Sequence, residues 1–222
     1  MISIALDGPA GAGKSTIAKG TAKELGFIYV DTGALYRATG LKFLNLGYST
    51  ELDCDIEGVL KDTKIDIRFV DGTQHVFLDG ADVNDKIRTP EASMMASAVS
   101  AKPPVRAFLL DMQRSLAKSN NVIMDGRDIG TVVLPNATAK FFVTASAEER
   151  AMRRVRDLKN MGQEADFDTV LADINKRDYN DSHREIAPLK PAEDSYIFDT
   201  TGNTLEQSVE KLVGLIKQRI EL

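Results

Sequence analysis

The chain has 222 residues, 43% of them hydrophobic and 27% charged, with a formal net charge of −5. That length suits one domain, or one core carrying insertions, around a sizeable apolar centre. The acidic balance argues against a general binder of nucleic-acid polymers or membrane surfaces, and the single cysteine, Cys54, excludes an intrachain disulfide and a thiolate metal site.

Ile2 to Leu6 is a short apolar run of buried-strand type, without the basic start of a signal peptide. No apolar stretch approaches the length of a membrane span, so a cytoplasmic monomer is expected. The run leads into Gly8-Pro9-Ala10-Gly11-Ala12-Gly13-Lys14-Ser15, which fits G-x-x-x-x-G-K-[ST] at every fixed position. Glycines there let the backbone take positive φ and turn its N–H groups around phosphate oxygens. The helix expected from Ile17 to Leu25 presents its partly positive N-terminus to the same anion. Lys14 is placed to reach the β- and γ-phosphates, and the Ser15 hydroxyl to help hold Mg²⁺.

A second apolar run, Phe27 to Val30, ends at Asp31, and Asp31-Thr32-Gly33-Ala34-Leu35-Tyr36-Arg37 follows. Thr32 and Arg37 would point beyond the sheet edge, where a second ligand can lie. Leu35, Ala38, Leu41 and Leu44 then mark a helix. Ile65 to Phe69 alternates with period two, Asp71-Gly72 signals a turn, and Gln74 to Leu78 follows, which together predict a β-hairpin. This part of the chain is expected to be an insertion with its own small sheet.

Beyond a helical pattern from Val105 to Ala117, the apolar run Val122 to Met124 ends at Asp125-Gly126-Arg127-Asp128. Asp125 sits where P-loop enzymes keep an acidic group near Mg²⁺, usually through water. Arg127 can fork onto a phosphate, and Asp128 can accept from an exocyclic amine. Ala139 to Thr144 is a further strand. From Arg150 to Arg184 the chain is charged and helical, interrupted near Gly162, and is a candidate mobile lid. Spacing puts Arg150, Arg153 and Arg154 on one helix face and Arg156 beside it, with Glu148 and Glu149 near enough to form an ordinary solvated surface instead. Arg177, Asp181 and Arg184 repeat that spacing. Next to a P-loop, movable arginines suit the charge that phosphoryl transfer spreads over oxygens.

Asn175-Lys176-Arg177-Asp178 matches N-K-x-D and Asp199-Thr200-Thr201-Gly202 matches D-x-x-G, but GTPases carry these in the opposite order. Val170, Leu171 and Ile174 also predict a helix rather than a strand before Asn175. His75 and His183 have no second ligand type at useful spacing, so no metal cluster is expected. Tyr196 to Phe198 completes a set of five short apolar runs, and Leu205 to Ile220 is helical. Strands alternating with helices imply a parallel, doubly wound sheet with ligands at its carboxyl edge.

Together LDGPAGAGKST (6–16), DTGALYR (31–37), MDGRDIGTVVLP (124–135), ERAMRR (149–154) and RDYNDSHREIAPL (177–189) resemble the bacterial cytidylate kinases, P-loop kinases of the nucleoside monophosphate kinase superfamily, over essentially the whole chain. The resemblance implies transfer of the γ-phosphoryl group of ATP·Mg²⁺ to CMP or dCMP in pyrimidine metabolism. It implies an α/β fold: a five-stranded parallel sheet core (1–34, 105–149 and 185–222), a monophosphate-binding insertion with a small antiparallel sheet (35–104), and a helical lid (150–184). By position, Gly8, Pro9, Ala10, Gly11, Ala12, Gly13, Lys14, Ser15 and Thr16 would hold ATP, with Arg150, Arg153 and Arg154 closing on it. Thr32, Arg37, Ser97, Arg106, Arg127 and Asp128 would form the CMP site, and Arg177, Asp181 and Arg184 would contact its sugar and phosphate. Catalysis would rest on Lys14, Arg127, Arg153 and Arg184, and Mg²⁺ on Ser15 directly and Asp125 through water. The alternatives are a kinase for another small acceptor, UMP or shikimate, and a nucleotide-dependent switch. Shikimate needs no base-reading carboxylate, so Asp128 argues against it.

Overall fold

In the computed structural model, which describes residues 1–70, 72–160 and 162–220, the first strand, β1 (Ser3–Asp7), is central. Around it stand β2 (Ile28–Asp31), β6 (Val122–Asp125), β7 (Ala139–Thr144) and β8 (Tyr196–Asp199), in the order β2-β6-β1-β7-β8. Strand β1 pairs in parallel with β6, Leu6 opposite Asp125, and with β7, Leu6 opposite Phe141. Ile4, Ala5 and Leu6 are fully buried, as are Val122, Ile123 and Met124. Parallel strands covered on both faces read as continuous apolar runs, which is why these segments show in the sequence. The expected five-stranded parallel sheet is the one that forms.

The chain divides into two compact units, Met1–Ile28 with Asn120–Leu222, and Tyr29–Ser119. In the first, α1 (Lys14–Leu25) packs on α8 (Leu205–Ile220), and Gly20 permits the approach: a Cβ there would lie 2.7 Å from a Val209 methyl. Helices α6 (Ala147–Asn160) and α7 (Phe167–His183) pack on one another without an intervening strand. Asn175 lies inside α7, so N-K-x-D is not a loop after a strand and cannot read guanine as it does in GTPases.

The second unit begins as β2 hands over to α2 (Thr32–Asn45). The Asp31 carboxylate caps that helix by accepting from the Ala34 N–H at 2.9 Å. Helix α2 crosses α4 (Pro90–Ser100) at Gly40, and Phe43, Leu35 and Met95 form a buried centre there with Val76 and Val99. The hairpin is present as β3 (Ile65–Val70) and β4 (Thr73–Leu78), antiparallel with Ile67 opposite Val76, and a short β5 (Ala81–Asp82) makes it a three-stranded sheet. Gly72 takes a φ of 74° in its turn, and Asp71 lies outside the described residues. Helix α5 (Pro103–Ser119) adds Val105 and Leu109 to this core, and the compact unit runs from Tyr29 to Ser119.

The tightest point of the first unit is Gly8, with φ 145°, where a Cβ would overlap the carbonyl of Val143 in β7. That carbonyl belongs to a strand paired on both sides and has no room to retreat. Gly8→Ala is therefore expected to cost about 2 kcal/mol or more, from φ strain and overpacking together. Thermal unfolding measures it, and an unchanged melting temperature would show that β7 yields.

Candidate active site

The loop from Gly8 to Gly13 turns through three glycines at positive φ, Gly8, Gly11 and Gly13. The N-cap of α1 is Gly13, which has no side chain to occupy the helix's first N–H groups where the loop ends. The loop's carbonyls, by contrast, are taken. Lys14 Nζ donates to the Pro9 carbonyl at 2.7 Å, Arg150 Nη1 to that of Ala10 at 3.0 Å, and the Thr200 hydroxyl to that of Ala12 at 3.4 Å. With its oxygens turned outward, the loop keeps its N–H side for an anion.

Lys14 is buried, and its ammonium is held well below the ordinary lysine range, first by burial and then by Arg127. The charges of Asp125 and Asp7 oppose this. The Ser15 hydroxyl donates to Asp125 Oδ2 at 2.7 Å, so a hydroxyl and a buried carboxylate converge at the helix start. Among the described residues no group of three His, Cys, Asp or Glu gathers to hold a metal unaided.

The loop after β6 carries Arg127 and Asp128. Arg127 Nε donates to Asp181 Oδ2 at 2.8 Å, and Arg184 Nη2 to Asp128 Oδ1 at 3.3 Å. The acid–base row predicted along α7 thus pairs across to this loop rather than along its own helix. Burial pushes Asp181 up, but Arg127, Arg177 and Arg184 outweigh it and hold the carboxyl below its ordinary value. Arg184 is the C-cap of α7, which ends at His183, and its ψ of 140° turns the chain that follows away from the helix. Arg177 remains on α7, half-buried.

The other arginines divide. Arg150 is buried, not solvated, and bonds Asp178 Oδ2 at 2.6 Å besides Ala10. Arg153 reaches the Thr200 carbonyl at 2.8 Å and pairs with Glu149 at 3.1 Å. Arg154 is exposed, so the three do not share one environment. The remaining candidates lie in the second unit. Thr32 is buried at the start of α2, Arg37 pairs with Asp31 at 2.8 Å, Ser97 is half-buried on α4, and Arg106 donates to the Ser100 carbonyl at 3.3 Å.

The sequence reading passed over Asp7 and Thr200 and left Asp178 without a role. Asp7 ends an apolar strand as Asp31 and Asp125 do, and that signal could have found it. Asp178 and Thr200 sit inside the two GTPase-like strings, whose dismissal as guanine readers hid their links to Arg150 and Arg153.

A glycine loop between a central parallel strand and a helix, with a buried lysine and a serine–aspartate oxygen pair at the helix start, defines a P-loop nucleotide-binding protein. Residues 4–218 match the cytidylate kinase family, and the chain belongs to that family. It is 54% identical over 214 residues to the cytidylate kinase of Caldicellulosiruptor bescii, covering 96% of this chain and 95% of that one. To that of Desulfitobacterium hafniense it is 46% identical over 220 residues, 99% of this chain and 94% of the other. Among solved structures, an uncharacterized protein from Eubacterium ventriosum shares the fold with a TM-score of 0.54 at 11% identity, over 98% of this chain and 99% of that one. No helix among the described residues is long and apolar enough to cross a membrane.

Asp7 gives the site a pH dependence. Its oxygens accept the N–H groups of Ile129 and Gly130, each at 2.7 Å, yet burial raises its pKa to about 6 against those bonds, and the nearby charge of Asp128 adds to the rise. The folded chain thus keeps a proton that the unfolded chain releases near 3.8. Folded-state stability should fall as pH rises between those values, by about 3 kcal/mol in all. Asp7→Asn cannot titrate, so denaturant unfolding should show wild type losing that much relative to the variant from about pH 4 to about pH 7. A difference independent of pH would show that Asp7 stays ionised.

Proposed function

We propose that this chain transfers the γ-phosphoryl group of ATP to CMP or dCMP, giving ADP and the nucleoside diphosphate, as a monomer in the cytoplasm. The observation that carries this reading is a P-loop in the same compact unit as a buried carboxylate, Asp128, flanked by arginines paired to acids. Family membership agrees with it.

In this reading Gly8 to Thr16 wrap the ATP phosphates. Lys14 leaves the Pro9 carbonyl for an oxygen of the transferred group, whose negative charge reverses the causes that lower its pKa. Ser15 and Asp125 offer hard oxygen donors that suit Mg²⁺, the serine directly and the aspartate through water. The ion would neutralise phosphate charge there. Arg127 and Arg184 share the charge on the transferred group with Arg153. Residues 150–184 act as the lid, with Arg150, Arg153 and Arg154 excluding water that would otherwise hydrolyse ATP.

The acceptor binds Thr32, Arg37, Ser97, Arg106, Arg127, Asp128, Arg177, Asp181 and Arg184. Asp128 sorts the base. Cytosine presents an N4 amino donor where uracil presents an O4 acceptor, so a carboxylate at that edge attracts one and repels the other. A buried polar group left unpaired costs about 1–3 kcal/mol, more when charged, enough for tenfold to several-hundredfold discrimination.

A coupled ADP-release assay across CMP, dCMP, UMP, AMP and shikimate tests the substrate class. Lys14→Met should lower kcat by about a hundredfold or more without lowering the melting temperature, because the lost charge acts mainly in the transition state. A near-normal kcat would remove Lys14 from the mechanism. Asp128→Ala should bring the CMP/UMP ratio of kcat/KM towards one, while an unchanged ratio in folded protein would assign base choice elsewhere.

A further inference from the structure

Within the second unit, Asp31 is held at every polar atom. Its N–H donates to Gln74 Oε1 at 2.8 Å, and its carbonyl accepts from Gln74 Nε2 at 3.1 Å. Its carboxylate takes the Ala34 N–H on one oxygen and Arg37 Nη2, at 2.8 Å, on the other. A side-chain amide that gives one donor and one acceptor to the same residue copies an antiparallel bridge at the end of β2. Gln74 can do this because its own backbone is fixed in β4, opposite Phe69, with Asn84 bonded to the Gln74 carbonyl and to the Val76 N–H.

Arg37 is the group this arrangement serves. Its Nε is buried and has no hydrogen-bond partner among the described residues, a donor that costs about 1–3 kcal/mol to leave unsatisfied. The guanidinium lies against the Gly33 backbone, where a Cβ would be 3.0 Å from Nη1 and 3.1 Å from Asp31 Oδ1. A guanidinium held at one end by a carboxylate, with a buried donor spare, suits a phosphate monoester.

We propose that Gln74 is a positioning residue for the acceptor: it fixes Asp31, and through Asp31 it holds Arg37 ready for the phosphate of the nucleoside monophosphate. This rests on the assignment of Arg37 to the acceptor site. The inserted antiparallel sheet then has a task in binding, since one of its side chains sets the arginine.

A double-mutant cycle tests it. Gln74→Leu keeps the volume and removes both bonds, and should raise KM for CMP about fivefold to tenfold, the worth of about one hydrogen bond. KM for ATP should not move, and kcat should stay within about twofold, because the loss falls on binding rather than on the transferred group. In an Arg37→Ala background, itself raised in KM for CMP, the same substitution should add nothing. Where Gln74→Leu does not fold, Gln74→Glu keeps the acceptor, loses the donor, and should show a smaller rise of the same kind. An unchanged KM for CMP in the Gln74 variants beside a raised one in Arg37→Ala overturns the proposal, as does an equal rise in both backgrounds. If Arg37→Ala leaves KM for CMP unchanged, the assignment of Arg37 falls, and the route through it falls too.

Discussion

The carboxyl edge of the main sheet depends on the backbone passing under the Val143 carbonyl at Gly8. Only glycine fits there, and the turn it allows sends the chain out of β1 and back into α1 within a few residues. Once that path is set, three donors from different parts of the first unit hold the loop by its carbonyls: Lys14 on Pro9, Arg150 on Ala10, and Thr200 on Ala12. The loop is shaped from outside by its oxygens. In the proposed function, removing a residue remote in sequence such as Thr200 would disturb phosphate binding without touching phosphate.

A second regularity is that the arginines are matched to acids. Arg127 meets Asp181, Arg184 meets Asp128, Arg150 meets Asp178, and Arg37 meets Asp31. Pairs that are buried or partly buried contribute little net stability, because desolvation and side-chain ordering offset their attraction. Their value lies in geometry: each guanidinium is held in one orientation, so in the proposed function less side-chain entropy would be lost on binding phosphate.

Much of this was legible in the sequence, for physical reasons. Strands buried on both faces appear as apolar runs, the hairpin as period two, and the P-loop as glycines at fixed spacing. The residues that escaped were fixed by tertiary contact. Arg184 closes α7 as its C-cap, and helical spacing from Arg177 does not reveal its bond to Asp128. The apolar stripe of α5 fits either neighbour, and only packing shows that Val105 and Leu109 join the second core. Gln74 reads as a polar residue on a strand of a small sheet, and nothing local reveals that its amide completes β2.

The pairing of arginines with acids also bears on which anions the protein ignores. A cluster of bare guanidinium groups would gather chloride, inorganic phosphate and polyanions from the surrounding salt. Here Arg127, Arg150 and Arg184 each have a resident carboxylate, and the whole chain carries a charge of −5. A stray monovalent ion that displaces one carboxylate gains one contact and leaves an acid exposed to repulsion. In the proposed function, a phosphate ester would engage Arg127 and Arg184 together and bring a base to the carboxylate it frees. Selectivity against common anions would then arise from competition inside the site, and it would persist at cellular ionic strength, where long-range attraction is screened within about 8 Å.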